Sequence, residues 1–167
     1  SVLDRPVERG RELSDLVRGT GLEVADVFLT SSMELDRLTP TSRVGSDIED
    51  LRAIFRSTVQ FASELGAPGI TLLPGVVLDG QSIDEAVSLA ADGLAPLVEI
   101  GAERGLGVSV EPHIGSCIES PEATLLLVER CPGLTVTLDP SHFAYGGYSA
   151  VDMATLAGHT RHVKVRP

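Results

Sequence analysis

Apolar positions along the chain follow two alternating periods, one typical of helices and one typical of buried strands. A spacing of three to four residues predicts helices over about 6–19, 46–65, 82–104 and 150–157, with a further helix after Ser120. Short apolar runs predict strands, and these runs lie at 22–30, 69–75, 108–111, 134–139 and 162–165. Helices and strands therefore alternate along the whole chain.

Two of the predicted helices are preceded by the pattern Ser-x-x-Glu. Ser46 with Glu49, and Ser82 with Glu85, each match a capping box, in which the two side chains accept hydrogen bonds from exposed N–H groups of the first helical turn. The second of these helices contains Pro96, and we expect a kink there because proline cannot donate the helical hydrogen bond.

This order of elements indicates an α/β domain with a parallel sheet and right-handed crossovers. The carboxyl ends of parallel strands meet at one edge, where barrels and open sheets bind their ligands. The sequence has no GxGxxG after a strand, no Walker A motif and no GxSxG. The usual signatures of nucleotide-binding folds and of α/β-hydrolases are thus missing.

Composition narrows the function classes further. The chain has 167 residues, 43% of them hydrophobic, and a formal net charge of −11. The acidic balance argues against nucleic acid as a partner, and no apolar run reaches the ~18 residues of a membrane span. Cys117 and Cys131 lack the CxxC spacing of a zinc ribbon or redox motif. We interpret them as buried thiols of a protein in the reducing cytoplasm.

Chemically active side chains follow the last three predicted strands. Glu111 ends one strand, Asp139 ends the next, and His162 lies on the third. Because the carboxyl ends of neighbouring parallel strands meet, we expect these three side chains to converge. Two carboxylates and an imidazole suit a divalent cation such as Mn²⁺, Mg²⁺, Co²⁺ or Zn²⁺. The sequence therefore predicts a metal site formed by Glu111, Asp139 and His162.

The other histidines differ in their expected roles. His142 comes three residues after Asp139 and is either a further metal ligand or a hydrogen-bond partner of a substrate hydroxyl. His113 either contacts substrate or orients a ligand. His159 precedes the last strand and is expected to lie on the surface.

Two basic residues of the last strand are candidates for substrate binding. By strand alternation Lys164 shares a face with His162, and it either binds an anionic or hydroxylated substrate or pairs with Glu111 or Asp139. Arg166 follows on the same face and is also predicted to bind substrate.

Four segments resemble motifs of the xylose isomerase-like TIM-barrel superfamily, the sugar phosphate isomerases and epimerases. They are VEPHIGS at 110–116, LDPSHF at 138–143, HVK at 162–164 and ASELGAPGI at 62–70. The resemblance implies a single divalent metal ion bound by Glu111, Asp139, His162 and a second glutamate on the final barrel strand. It also implies that His142 contacts the substrate beside the metal.

The resemblance covers nearly the whole chain and implies a (β/α) TIM barrel that is incomplete. Five strands correspond to strands three to seven of eight, so we expect residues 1–167 to form one partial barrel domain. The chain stops before the strand that would carry the second glutamate.

The implied function is metal-dependent isomerisation or epimerisation of a sugar, ketose or polyol, free or phosphorylated, through an enediolate. Glu111 and the absent glutamate are the candidate bases, and a homo-oligomer is left open. The alternatives are a dehydratase of the same fold, a phosphodiesterase resembling endonuclease IV, and a non-catalytic binding protein. An endonuclease would need more histidines on the earlier strands than this sequence has.

Overall fold

The computed structural model describes residues 3–32 and 36–165 and contains five strands and six α-helices. The strands are β1 (Val27–Leu29), β2 (Gly69–Leu72), β3 (Gly107–Val110), β4 (Leu134–Leu138) and β5 (Thr160–Val163). The helices are α1 (Pro6–Arg18), α2 (Gly45–Leu65), α3 (Ile83–Ala102), α4 (Pro121–Arg130), α5 (Pro140–Tyr145) and α6 (Ala150–Ala154), and a turn of 3-10 helix covers Ala157–His159.

All five strands are parallel and pair in the order of the sequence, β1-β2-β3-β4-β5. The predicted α/β class and the partial TIM barrel are therefore confirmed. The outward-facing strand residues, such as Ile70, Val108 and Val136, belong to the same buried cluster as Phe55 and Leu94 of the surrounding helices. Burial of this apolar layer between sheet and helices is the main stabilising contribution.

The boundaries differ from the sequence-based expectation in several places. Strand β1 has only three residues, and the short helix α5 was not expected. The capping box at Ser82 is present, but α2 already begins at Gly45, so Ser46 lies inside the helix and makes no cap. Helix α3 runs without interruption through Pro96. Within the described ranges, no helix is long and apolar enough to span a membrane.

The inner face of the central strands β2, β3 and β4 carries hydroxyl side chains. Thr71 on β2 donates a hydrogen bond to Asp26, which just precedes β1, so Thr137 on β4 must donate to Thr71 across a distance of 2.6 Å. The hydroxyl oxygens of Ser109 on β3 and Thr135 on β4 are also hydrogen-bonded, at a distance of 2.7 Å. These chains of hydroxyls connect strands through the interior and satisfy polar groups that would otherwise be buried without partners.

Arg161 on β5 extends across this inner face to the opposite edge of the sheet. One guanidinium nitrogen lies 2.6 Å from Asp26, and Nε donates to Ser109 over 2.9 Å. The first residues of β2 and β3, Gly69 and Gly107, make room for it: a Cβ would lie 2.5 Å from the guanidinium carbon at Gly69 and 2.6 Å from Cδ at Gly107. The two glycines are thus required by the path of one side chain.

Both cysteines are free and buried, which leads to a first prediction. Burial raises the pKa of the Cys117 thiol to about 12 and also raises the pKa of Cys131. Because the thiolate is the reactive species, we expect Ellman's reagent at about pH 8 to modify the folded chain on the order of 100-fold more slowly than the urea-unfolded chain. Rapid reaction of either thiol in the folded chain would contradict the burial described here.

Candidate active site

Glu111 directly follows β3 and is held in place by the adjacent strand. Its backbone N–H donates to the carbonyl oxygen of Leu72 on β2, over 3.1 Å, so the sheet continues to this residue. Strand alternation then directs Glu111 to the inner face, the same face as Ser109. Its side chain is only 1% exposed. A carboxylate this deeply buried needs hydrogen-bond donors or a cation as partners.

Asp139 occupies the equivalent position after β4 and also begins helix α5. Its Oδ1 accepts hydrogen bonds from the backbone N–H of Ser141, at 3.0 Å, and from the Ser141 hydroxyl, at 2.5 Å. The Asp139 side chain is completely buried. The helix cap fixes one carboxylate oxygen and leaves Oδ2 directed toward His142, whose Nε2 lies 3.7 Å away.

Glu111, Asp139 and His142 form the group in which a metal ion fits. Each offers one ligand atom, and these three atoms lie within 4.8 Å of one another. Two carboxylate oxygens and one imidazole nitrogen are a suitable set for Mn²⁺, Co²⁺ or Zn²⁺, and the carboxylates also suit Mg²⁺. Two buried negative charges on adjacent strands favour a divalent cation between them.

The histidine that lies beside Glu111 and Asp139 in the structure is His142 and not the predicted His162. His162 pairs with Thr137 in the backbone register of β4 and β5 and is partly exposed. In the described part of the chain, it does not belong to the metal-capable group, whereas His142 does. The direct role of His162 as a ligand thus remains a prediction.

Lys164, which directly follows β5, reaches the carboxylate of Glu111. Its Nζ lies 3.0 Å from Oε1 of Glu111. The sequence left open whether Lys164 binds substrate or pairs with a carboxylate, and the structure contains the ion pair with Glu111. The backbone N–H of Lys164 donates to the carbonyl oxygen of Leu138, which continues the pairing of β5 with β4. Nζ also lies 4.8 Å from the ring centroid of Phe28, within the range of a cation–π contact.

His113 lies beside His142 rather than beside the carboxylates. The two ring centroids are 4.1 Å apart with planes tilted by 45°. The Nδ1 atom of His113 is 2.7 Å from the carbonyl oxygen of Ile114. His113 therefore packs against the imidazole of the metal-capable group, and its role in orienting a ligand or contacting substrate stays a prediction.

The remaining predicted residues lie away from this group or outside the described ranges. His159 is exposed in the 3-10 turn before β5, as expected for a surface residue. Arg166 lies outside the described residues. Sequence reasoning missed Phe28, whose ring lies at the inner face with 40% of its surface exposed. Strand alternation could have located it: Val27 and Leu29 pack outward against the core, so the residue between them must point inward.

A family model described as xylose isomerase-like TIM barrel matches residues 3–166 of the chain. No curated protein matches the chain in sequence. The solved structures that it resembles include a D-tagatose 3-epimerase-like protein, with a TM-score of 0.79 and 22% identity over 92% of this chain.

Two further structures bear on the site. One is 3-keto-D-glucoside 4-epimerase YcjR from E. coli in its apo form, with a TM-score of 0.74 and 16% identity over 97% of this chain. The other is the IolI protein with a bound zinc atom, with a TM-score of 0.73 and 17% identity over 92% of this chain. The chain spans 60%, 65% and 55% of the lengths of these three structures, respectively.

Proposed function

Since the chain belongs to the xylose isomerase-like TIM-barrel family, we propose that it is the partial barrel domain of an enzyme that isomerises or epimerises a sugar, ketose or polyol, free or phosphorylated, with a divalent metal ion. The observation that carries the proposal is the convergence of Glu111, Asp139 and His142 at the carboxyl ends of β3 and β4. Active sites of barrel enzymes lie at this end of the strands. The names of the structural neighbours point to the same class of substrate.

Asp139 and Glu111 are the residues that would hold the metal ion, with His142 or the predicted His162 as the nitrogen ligand. When bound, the ion would act as a Lewis acid toward adjacent hydroxyl and carbonyl oxygens of the substrate. Ser141 keeps Oδ1 of Asp139 fixed through two hydrogen bonds, so this carboxylate is oriented before any ion arrives.

Glu111 is the base that we propose for the transfer of the carbon-bound proton. Its carboxylate takes the proton, the electron pair of the C–H bond forms the carbon–carbon double bond of an enediolate, and the π pair of the carbonyl moves onto its oxygen. Return of the proton to the neighbouring carbon, with transfer of the hydroxyl proton between the two adjacent oxygens, completes an isomerisation. Delivery of a proton to the opposite face of the original carbon gives an epimer and requires a second acid, which the resemblance places on the final barrel strand.

The remaining residues of the site would position the substrate. His142 can donate to a substrate hydroxyl, and His113 holds the imidazole of His142 by ring contact. The exposed ring of Phe28 provides an apolar surface on which the carbon-bound hydrogens of a sugar can pack. Contacts of Lys164 and Arg166 with substrate stay predictions, as does a cytoplasmic location.

A phosphodiesterase is less well supported. The described residues contain a single group of three metal-capable side chains, whereas an endonuclease of this fold would use several metal ions. The net charge of −11 also opposes binding of a polyanion.

The metal site can be tested directly by calorimetric titration of the chelator-treated chain with Mn²⁺. We expect saturable binding of about one ion per chain, and we expect Asp139→Asn to weaken it by at least about tenfold because one charged ligand is lost. His159→Ala is the matched control, since His159 is exposed and lies outside the group. Unchanged affinity in Asp139→Asn, or a large loss in His159→Ala, would contradict the site.

A further inference from the structure

Lys164 is the only lysine among the 167 residues; the other 12 of the 13 basic residues are arginines. This lysine lies at the most deeply buried glutamate of the described chain, which is 1% exposed. The lysine side chain itself is 37% exposed, so solvent reaches it beside the buried carboxylate.

The ammonium group of Lys164 compensates negative charge that the fold buries. Glu111 and Asp139 place two carboxylates on adjacent strands in the interior, and burial of an uncompensated charge is strongly unfavourable. A cation near them lowers this cost whether or not a metal ion is bound. Nζ of Lys164 supplies one positive charge at 3.0 Å from Glu111.

The surroundings of Lys164 allow its ammonium group to contact Glu111 and also to move away from it. Its backbone is fixed by the hydrogen bond to Leu138, but the side chain has four flexible methylene groups. In the same position Nζ lies 4.8 Å from the ring centroid of Phe28, and the ammonium can keep this cation–π contact when it leaves the carboxylate. A compact ammonium on a flexible chain can move away from Glu111 while it stays beside Phe28, whereas a forked guanidinium would bind the carboxylate more rigidly.

We propose that Lys164 is a tethered cation that occupies the place of the divalent ion at Glu111, so that metal binding displaces its ammonium group from the carboxylate. The inference rests on the proposed metal site and deepens it. Lys164 then lowers the metal affinity of the chain, since the ion must compete with a charge that is always present. It also keeps the site electrostatically balanced when no ion is bound.

The first test compares Mn²⁺ affinity in three proteins by calorimetry: the unchanged 167-residue chain, Lys164→Met and Lys164→Arg. Removal of the competing charge in Lys164→Met is expected to tighten Mn²⁺ binding by about tenfold or more. The control Lys164→Arg keeps the charge and is expected to bind no more tightly than the unchanged chain. If Lys164→Met is unfolded by circular dichroism, Lys164→Gln serves in its place, because its amide can still donate to Glu111.

The outcomes separate this inference from the proposed function. Binding by Lys164→Met but not by the unchanged chain would support the inference and contradict metal dependence of the chain as it stands. Equal or weaker binding by Lys164→Met, with good binding by the unchanged chain, would overturn the inference and leave the proposed function intact. Absence of Mn²⁺ binding in all three proteins would overturn both.

A second test needs no substitution, because a single lysine gives a single side-chain signal. The chain is labelled with ¹³Cε-lysine and titrated with Zn²⁺, which is diamagnetic. We expect the one ε-methylene resonance to shift in step with the backbone signal of Asp139 as the ammonium leaves Glu111. A lysine resonance that stays unchanged while the Asp139 signal saturates would overturn the inference.

Discussion

Replacing Arg161 by methionine is expected to lower the free energy of unfolding by about 3 kcal/mol. The side chains of Asp26 and Arg161 are 8% and 19% exposed, and removal of the guanidinium leaves the carboxylate of Asp26 at the inner face without its counter-ion. Ser109 loses a donor at the same time. Urea denaturation followed by circular dichroism measures the effect.

Two further variants make this experiment specific. Arg11→Ala removes an exposed ion pair with Glu64 and is expected to change the stability by less than about 1 kcal/mol. Adding Asp26→Asn to Arg161→Met should restore part of the loss, because no uncompensated charge then remains and the amide can still accept from Thr71. A loss below about 1 kcal/mol in Arg161→Met would show that the pair is too well solvated to matter.

Replacing Glu111 by glutamine is expected to reduce substrate turnover by about 10²–10⁴-fold, the range for loss of a general base. The amide has nearly the same shape as the carboxylate but cannot take a proton from carbon. Turnover is measured in D₂O on a panel of aldoses and ketoses. Deuterium entering the substrate at carbon reports proton abstraction even when the product is not known in advance.

Glu122→Gln is the matched control for this experiment. This substitution makes the same chemical change, but Glu122 is exposed in the first turn of α4, remote from the inner face. We therefore expect full activity. Glu111 also pairs with Lys164, and a thermal unfolding curve of Glu111→Gln is needed to show that the variant is folded. Deuterium incorporation at the unchanged rate in a folded Glu111→Gln protein would remove Glu111 as the base.

The order of elements could be predicted from the sequence because helical periodicity and apolar runs are local signals. The Ser82 capping box is correct for the same reason: Ser82 and Glu85 contact only each other and the adjacent backbone. Ser46 carries the same pattern, but α2 starts one residue before it, which the local pattern alone did not reveal. The helix α5 is too short, at six residues, to give a periodic signal.

The site was predictable only in part, because it depends on one irregularity of the sheet. The pairing of β4 with β5 shifts register between Val136 and Thr137. Strict alternation places Arg161 and Lys164 on opposite faces, since they are three residues apart, yet both reach the inner face. Alternation therefore placed Lys164 correctly beside His162, but it gave no sign that Arg161 also reaches the inner face.

The pairing of each strand with its neighbour in sequence has a consequence for how the chain folds. A strand that emerges during synthesis finds its partner already formed, so the sheet can grow in one direction from β1 to β5. The contact between Asp26 and Arg161 spans 135 positions and is made only when β5 joins. Because this contact comes last, Arg161 should govern how fast the native chain unfolds far more than how fast it folds.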